Sequence, residues 1–197
     1  MISLFIAVTP YKYLNVEDLE HYIKISEEID LLLLRVPMTR NDLCWALDYL
    51  LANGFPQTKL MIHSDLTILE KYDLNFIHFR EKDVQAFEYK KLHPHVSVSM
   101  STHSVETVKH AREWSLDFVF FGHVFESRSK HGLKPRSSKE IKDAVSIDIP
   151  VYAIGGIDTH SIKSLPRGFE GVSAISFFRD RSLREIQLLR EEWLAYV

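Results

Sequence analysis

The feature that most constrains this chain is a repeated alternation of short, largely apolar β-type runs with segments of helical spacing. Ser3 to Val8 is a β-rich run ended by Thr9 and Pro10, and after it Val16, Leu19 and Ile23 recur at the spacing of one helix face. Leu31 to Leu34 repeats the pattern, followed by the stripe Leu43, Leu47, Leu50 and Leu51, which stops at Asn53-Gly54 with Pro56 beyond. Further β-type runs fall at Lys59 to Ile62, Phe76 to His78, Val96 to Val98, Phe118 to Phe121, Val151 to Ile154 and Val172 to Ile175, which makes eight. Fully apolar strands that alternate with amphipathic helices require a parallel sheet, because each crossover helix must bury its stripe on that sheet. Eight units predict a closed (β/α)8 TIM barrel, with an open doubly wound sheet as the competing α/β arrangement. A typical barrel of this kind has ~250 residues. With 197 residues, the segments around 65–72 and 158–163 must be minimal. The last helix, carrying Ile186, Leu189 and Trp193 on one side, should close the structure.

A chain of this length predicts one domain over residues 1–197, since two enzyme domains with a cleft between them need more. No linker, low-complexity segment or repeat beyond the βα alternation interrupts it. The formal charge is -3, with acids and bases interleaved. That leaves no basic stripe for a nucleic-acid backbone. The apolar start lacks a basic flank and stops at Thr9, far short of a signal peptide or a bilayer span, so no membrane partner and a cytoplasmic location are expected. The single cysteine, Cys44, stands beside Trp45 within a helical stretch, where a buried small hydrophobe is the common role.

Catalytic groups of a barrel come from the C-terminal ends of its strands. The polar residues following the apolar runs are Thr9, Arg35, His63 with Ser64, His78 with Asp83, Ser101 with His103, His123 with Ser127 and Lys130, Gly155 with Gly156, and Ser176. The clearest signal lies after the last two runs. Paired glycines at Gly155 and Gly156 expose backbone N–H groups, Ser176 adds a hydroxyl, and a helix start adds partial positive charge, a combination suited to a phosphate. The second signal is the polar loop from Gly122 to Gly132, where His123 directly ends a strand. An imidazole, with a pKa of ~6.5, can take and return a proton near neutral pH. Most of the ten histidines must be packing or surface residues, His21, His110 and His160 among them.

Taken together, Arg35, His63-Ser64, His78 to Asp83, Ser101-Thr102-His103 and the last three motifs resemble the thiamine phosphate synthase superfamily over nearly the whole chain. The family's synthases carry Gly-Pro at the start of the sixth loop, whereas this chain has Gly122-His123, which resembles the TenI-type thiazole tautomerase branch. Synthase groups are also missing: an Asn-Asp pair is His63-Ser64 here, and the Gln and Lys flanking Arg35 are Leu33 and Pro37. Asp83 matches a magnesium-binding Asp of the family, though it can equally cap the next helix. Arg80 replaces the Gly of the His-x-Gly-x-x-Asp motif, and Phe177-Phe178 stand where smaller residues are usual.

The tautomerase resemblance implies aromatisation of a carboxylated thiazole phosphate tautomer, which loses a ring proton at C2 and gains one at the exocyclic carbon without a cofactor or metal. It implies His123 as the catalytic base, with the phosphate held by Gly155, Gly156, Ser176 and Ser127. Lys130 belongs to the same polar loop and Ser101 and His103 to the site. Arg35 could pair with the substrate carboxylate or with a phosphate oxygen. The thiazole phosphate is the expected partner, and a homo-oligomer is compatible with the sequence. The alternatives are a non-catalytic barrel that senses a thiamine-related phosphate and, ranked last, a magnesium-dependent synthase.

Overall fold

The computed structural model describes residues 4–127 and 132–196. In it, eight parallel strands close into a barrel in chain order. They are β1 (Leu4–Val8), β2 (Leu31–Leu34), β3 (Leu60–His63), β4 (Phe76–Phe79), β5 (Ser97–Thr102), β6 (Phe118–Gly122), β7 (Val151–Ile154) and β8 (Gly171–Ala174). Closure comes from β8 lying along β1, with Leu4 opposite Gly171 and Ala7 opposite Ala174. This excludes the open sheet. Around the barrel run α1 (Val16–Lys24), α2 (Arg40–Ala52), α3 (Leu66–Lys71), α4 (Val84–Leu92), α5 (Val105–Glu113), α6 (Ser138–Val145), α7 (Ser176–Asp180) and α8 (Leu183–Tyr196). The crossover after β7 is reduced to a 3-10 turn, Ser161–Ser164, and α3 has six residues, the two economies a short barrel requires.

Local chemistry sets where the helices start. Asn15, Thr39, Ser104 and Ser137 each accept a hydrogen bond from the amide three residues on, so an otherwise orphaned N–H is satisfied at four helix entries. Period-two alternation then sorts the strand residues into two cores. Phe5, Ala7, Leu32, Leu34, Ile62, Ile77, Val98 and Met100 face the helices. Ile6, Val8, Leu31, Leu33, Met61, Phe118, Phe120 and Tyr152 fill the barrel itself. Each valine, leucine, isoleucine, methionine or phenylalanine among them contributes ~1.5–3 kcal/mol when fully buried.

The last helix packs its apolar side on the barrel, with Ile186, Leu189 and Trp193 buried in the helix-facing core. Trp193 meets Phe5 edge-to-face at 6.3 Å, and Arg190 binds Asp30 through both nitrogens at 3.2 and 3.3 Å. Asp30 also accepts the Phe5 amide at 2.7 Å, tying β1, β2 and α8 together.

Several boundaries differ from the sequence reading. Lys59 lies in a 3-10 turn rather than in β3, because its ammonium reaches back to the carbonyls of Ser26 and Ile29. Val96 precedes β5, which runs on through Ser99 and Ser101 to Thr102. The eighth strand spans Gly171–Ala174, with Ile175 already turning into α7. Val16 is exposed, and Tyr22 joins Leu19 on the buried face of α1. Cys44 is half-buried rather than buried, and its sulfur receives Lys71 Nζ at 3.0 Å. No helix among the described residues is long and apolar enough to cross a membrane.

Candidate active site

A cavity of about 400 Å³ opens at the C-terminal ends of the strands. Val8, Leu33, Phe120, Ile154 and Ala174 form its apolar floor, continuous with the barrel interior. Of the residues singled out in the sequence, Arg35, Ser101, His103, His123, Ser127, Gly155, Gly156 and Ser176 all line it. Lys130 lies outside the described residues. Asp83 is not in the lining; it caps α4, accepting the Gln85 amide at 3.1 Å.

His123 follows β6 directly and is 5% exposed. The peptide joining it to Gly122 is cis. Its Nε2 stands 3.2 Å from the Leu133 carbonyl, and a carbonyl only accepts, so Nε2 carries a proton and Nδ1 holds the lone pair of the neutral ring. The loop after β7 packs against it. The Val124 amide donates to the Ile154 carbonyl at 2.9 Å and the Phe125 amide to the Gly155 carbonyl at 3.0 Å. Gly155 and Gly156 have φ of +99° and +69°, and a Cβ on either would run into His123 or into the Phe125–Glu126 backbone. Both must be glycine for the two loops to pack this closely.

Opposite lies a cationic wall. Arg35 stacks over Tyr11 at 5.0 Å, and its backbone is fixed by Thr9, whose hydroxyl accepts the Arg35 amide at 2.8 Å and donates to its carbonyl at 3.2 Å. Arg80 also lines the cavity, from the turn after β4. His63 stands near both: burial, then the charges of Arg35 and Arg80, push its pKa down to about 4, so it is neutral at physiological pH.

His78 is buried between two hydroxyls, Nδ1 at 2.7 Å from Ser99 Oγ and Nε2 at 2.8 Å from Ser101 Oγ, and stacks on Phe120 at 4.4 Å. Burial, with the charges of His63 and Arg35, holds it well below the ordinary histidine range. It is a neutral ring that orients Ser101. A period-two signal for it was present in β5, where Ser97, Ser99 and Ser101 alternate with Val98 and Met100; Ser99 and Ser101 meet His78 inside the barrel.

The synthase alternative would call for a magnesium ion, and the donors present do not suit one. Glu81 is the sole carboxylate in the described lining, and it is already held by His103 and Thr107. Burial alone would raise the Glu81 carboxyl; hydrogen bonds from the His103 amide and the Thr107 hydroxyl outweigh it and hold the group below its usual value. Asp83 is spent on its helix cap and Ser64 stands where a second carboxylate would be needed.

Comparison with known proteins adds a further finding. The family model described as thiamine monophosphate synthase (TMP-TENI) matches residues 12–178. A thiamine-phosphate synthase of Hydrogenobaculum sp. (strain Y04AAS1) is 32% identical over 139 residues, 66% of this chain and 64% of its own length. One of Chlorobium phaeobacteroides (strain DSM 266) is 28% identical over 136 residues, 67% of this chain and 66% of its own. The matches thus span about two thirds of these curated relatives. Among solved structures, a thiamine phosphate pyrophosphorylase from Pyrococcus furiosus superposes with a TM-score of 0.77 at 15% identity, covering 100% of this chain and 97% of that one, which shows a shared fold.

Proposed function

We propose, from the premise that this chain belongs to the thiamine monophosphate synthase family, that it is a thiazole tautomerase that aromatises a carboxylated thiazole phosphate. The observation that carries this reading is His123: it is buried in the cavity wall, its Nε2–H is committed to the Leu133 carbonyl, and Nδ1 is left as a base. The ligand phosphate would lie over the glycine loop and Ser176, with Ser127 beside it. The carboxylate would face Arg35. In this pose Nδ1 removes the ring C2 proton, the electron pair moves into the ring, and the exocyclic carbon is protonated. The apolar floor excludes water from the ring. No step calls on a metal.

A second reading, magnesium-dependent coupling of a pyrimidine pyrophosphate to a thiazole phosphate, is favoured by the names of the curated relatives. The spent carboxylates around Glu81 and Asp83 weigh against it. One experiment separates the two. Ultraviolet absorbance of the enzymatically generated tautomer is followed on adding the protein, beside a coupling assay with magnesium. Rapid aromatisation that falls ~10²-fold or more in His123→Ala supports the tautomerase. Coupling without aromatisation supports the synthase, and tight binding of the aromatic product with neither activity leaves a phosphate-sensing barrel.

A further inference from the structure

Glu81, in the turn after β4, and His103, directly after β5, meet at the cavity wall. The Glu81 carboxylate takes the His103 amide at 2.8 Å, the Thr107 hydroxyl at 2.8 Å and His103 Nδ1 at 3.1 Å. An ionised carboxylate only accepts, so Nδ1 keeps its proton and Nε2 is the atom that gains or loses one. Arg136 grips the same residue from the other side, its Nη1 donating to the His103 carbonyl at 2.9 Å. The Arg136 amide donates to the His123 carbonyl, also at 2.9 Å, which joins the two histidine-bearing segments through one residue. Starting α5 needs none of this, since Ser104 already caps it.

We infer that Glu81 and His103 form a second proton-transfer couple that works with His123 in a two-base tautomerisation. The inference rests on the tautomerase reading. His123 Nδ1 takes the C2 proton as that C–H pair enters the ring. The exocyclic carbon forms its new C–H bond with the proton on His103 Nε2, whose N–H electrons stay with the imidazole. One proton leaves the ligand and another arrives. His103 ends neutral and His123 protonated, and exchange with water resets both. Glu81 acts through His103, fixing its tautomer and aiming its ring. His103 is suited to refilling from solvent because its side chain is 43% exposed.

The test uses tautomer carrying deuterium at C2, turned over in ordinary water. A single base above both carbons returns part of the label to the exocyclic carbon, whereas two bases leave the product free of it. Label-free product is expected. Glu81→Gln keeps the side chain's shape but offers an N–H to Nδ1, and His103→Gln removes the donor; kcat should fall ~10-fold or more in each with KM little changed. Nitrogen-15 spectra of the ligand-free protein should show the neutral His103 ring protonated at Nδ1. Deuterium in the product, full activity in both variants, or a neutral ring protonated at Nε2 overturns the couple while the His123 assignment stands. If the native protein does not aromatise the tautomer, both readings fail together.

Discussion

A Cβ on Gly155 would collide with the Cβ of His123, and Gly155 itself has φ +99°. The histidine proposed as the base is therefore positioned by an absent side chain. Gly155→Ala should cost on the order of 1–3 kcal/mol through strain. It should also push His123 out of line, lowering kcat by ~10²-fold, the scale of a misplacement of about 1 Å. Thermal melting and the aromatisation assay measure the two effects; a variant that melts lower yet keeps full kcat would show that the loop contact does not position the ring.

His63 gives the protein a pH-dependent stability of definite sign. Its pKa is about 4 in the fold and 6.5 in a model peptide, so between these values the unfolded chain binds a proton that the native one does not. Stability contributed by neutral His63 is present above pH 6.5 and is lost progressively toward pH 4, by ~3 kcal/mol at most. His78, lowered in the same direction, adds to the trend. Melting temperatures from pH 7 to pH 4 should fall more gently in His63→Gln than in the native protein, and parallel curves would rule out this role for His63.

Arg80 brings a second guanidinium to the cavity on the side of Arg35, and among the described residues it has no ion pair. Arg80→Gly should weaken binding of the carboxylated product by ~10-fold, on the scale of one charge-assisted hydrogen bond. Calorimetry at low and high salt is the measurement. The native protein should lose affinity more steeply with salt than the variant.

Arg136 joins the segments that carry the two histidines. Replacing it with Met keeps its amide bond to His123 but removes the guanidinium bond to the His103 carbonyl and the contact with Glu140. A loss of ~1–2 kcal/mol in unfolding free energy is expected, with a fall in kcat. Denaturant melts beside steady-state kinetics test it, and unchanged values for both would assign Arg136 to the surface.

The barrel was legible because its strands are apolar on both faces and its helices are not, and that contrast survives any small error in boundary. The strand whose extent misled was β5, read as Val96 to Val98, because its lumen-facing serines hide the second half when hydrophobicity alone is the guide. Their hydroxyls are the complement of His78, a residue 21 positions from Ser99, so the reason for the polarity lies outside the segment. The glycine loop and His123 were readable as local motifs. Glu81 was not, since its meaning depends on His103 and Thr107, brought to it by the step from one strand to the next. Arg80 looked like a departure from a pattern and proved to be part of the cavity lining.

The pairing of β1 with β8 has a consequence for the order in which the molecule can be built. Leu4 finds its partner only when Gly171 has been made, so the first strand emerges with one edge bare and keeps it bare through most of synthesis. Neighbouring strands can assemble as they appear, but the cylinder cannot shut until β8 has emerged, nor can Trp193 reach Phe5 until α8 has. The interval before closure is when this protein most needs shelter from its own copies, because an open edge is a template for any other strand.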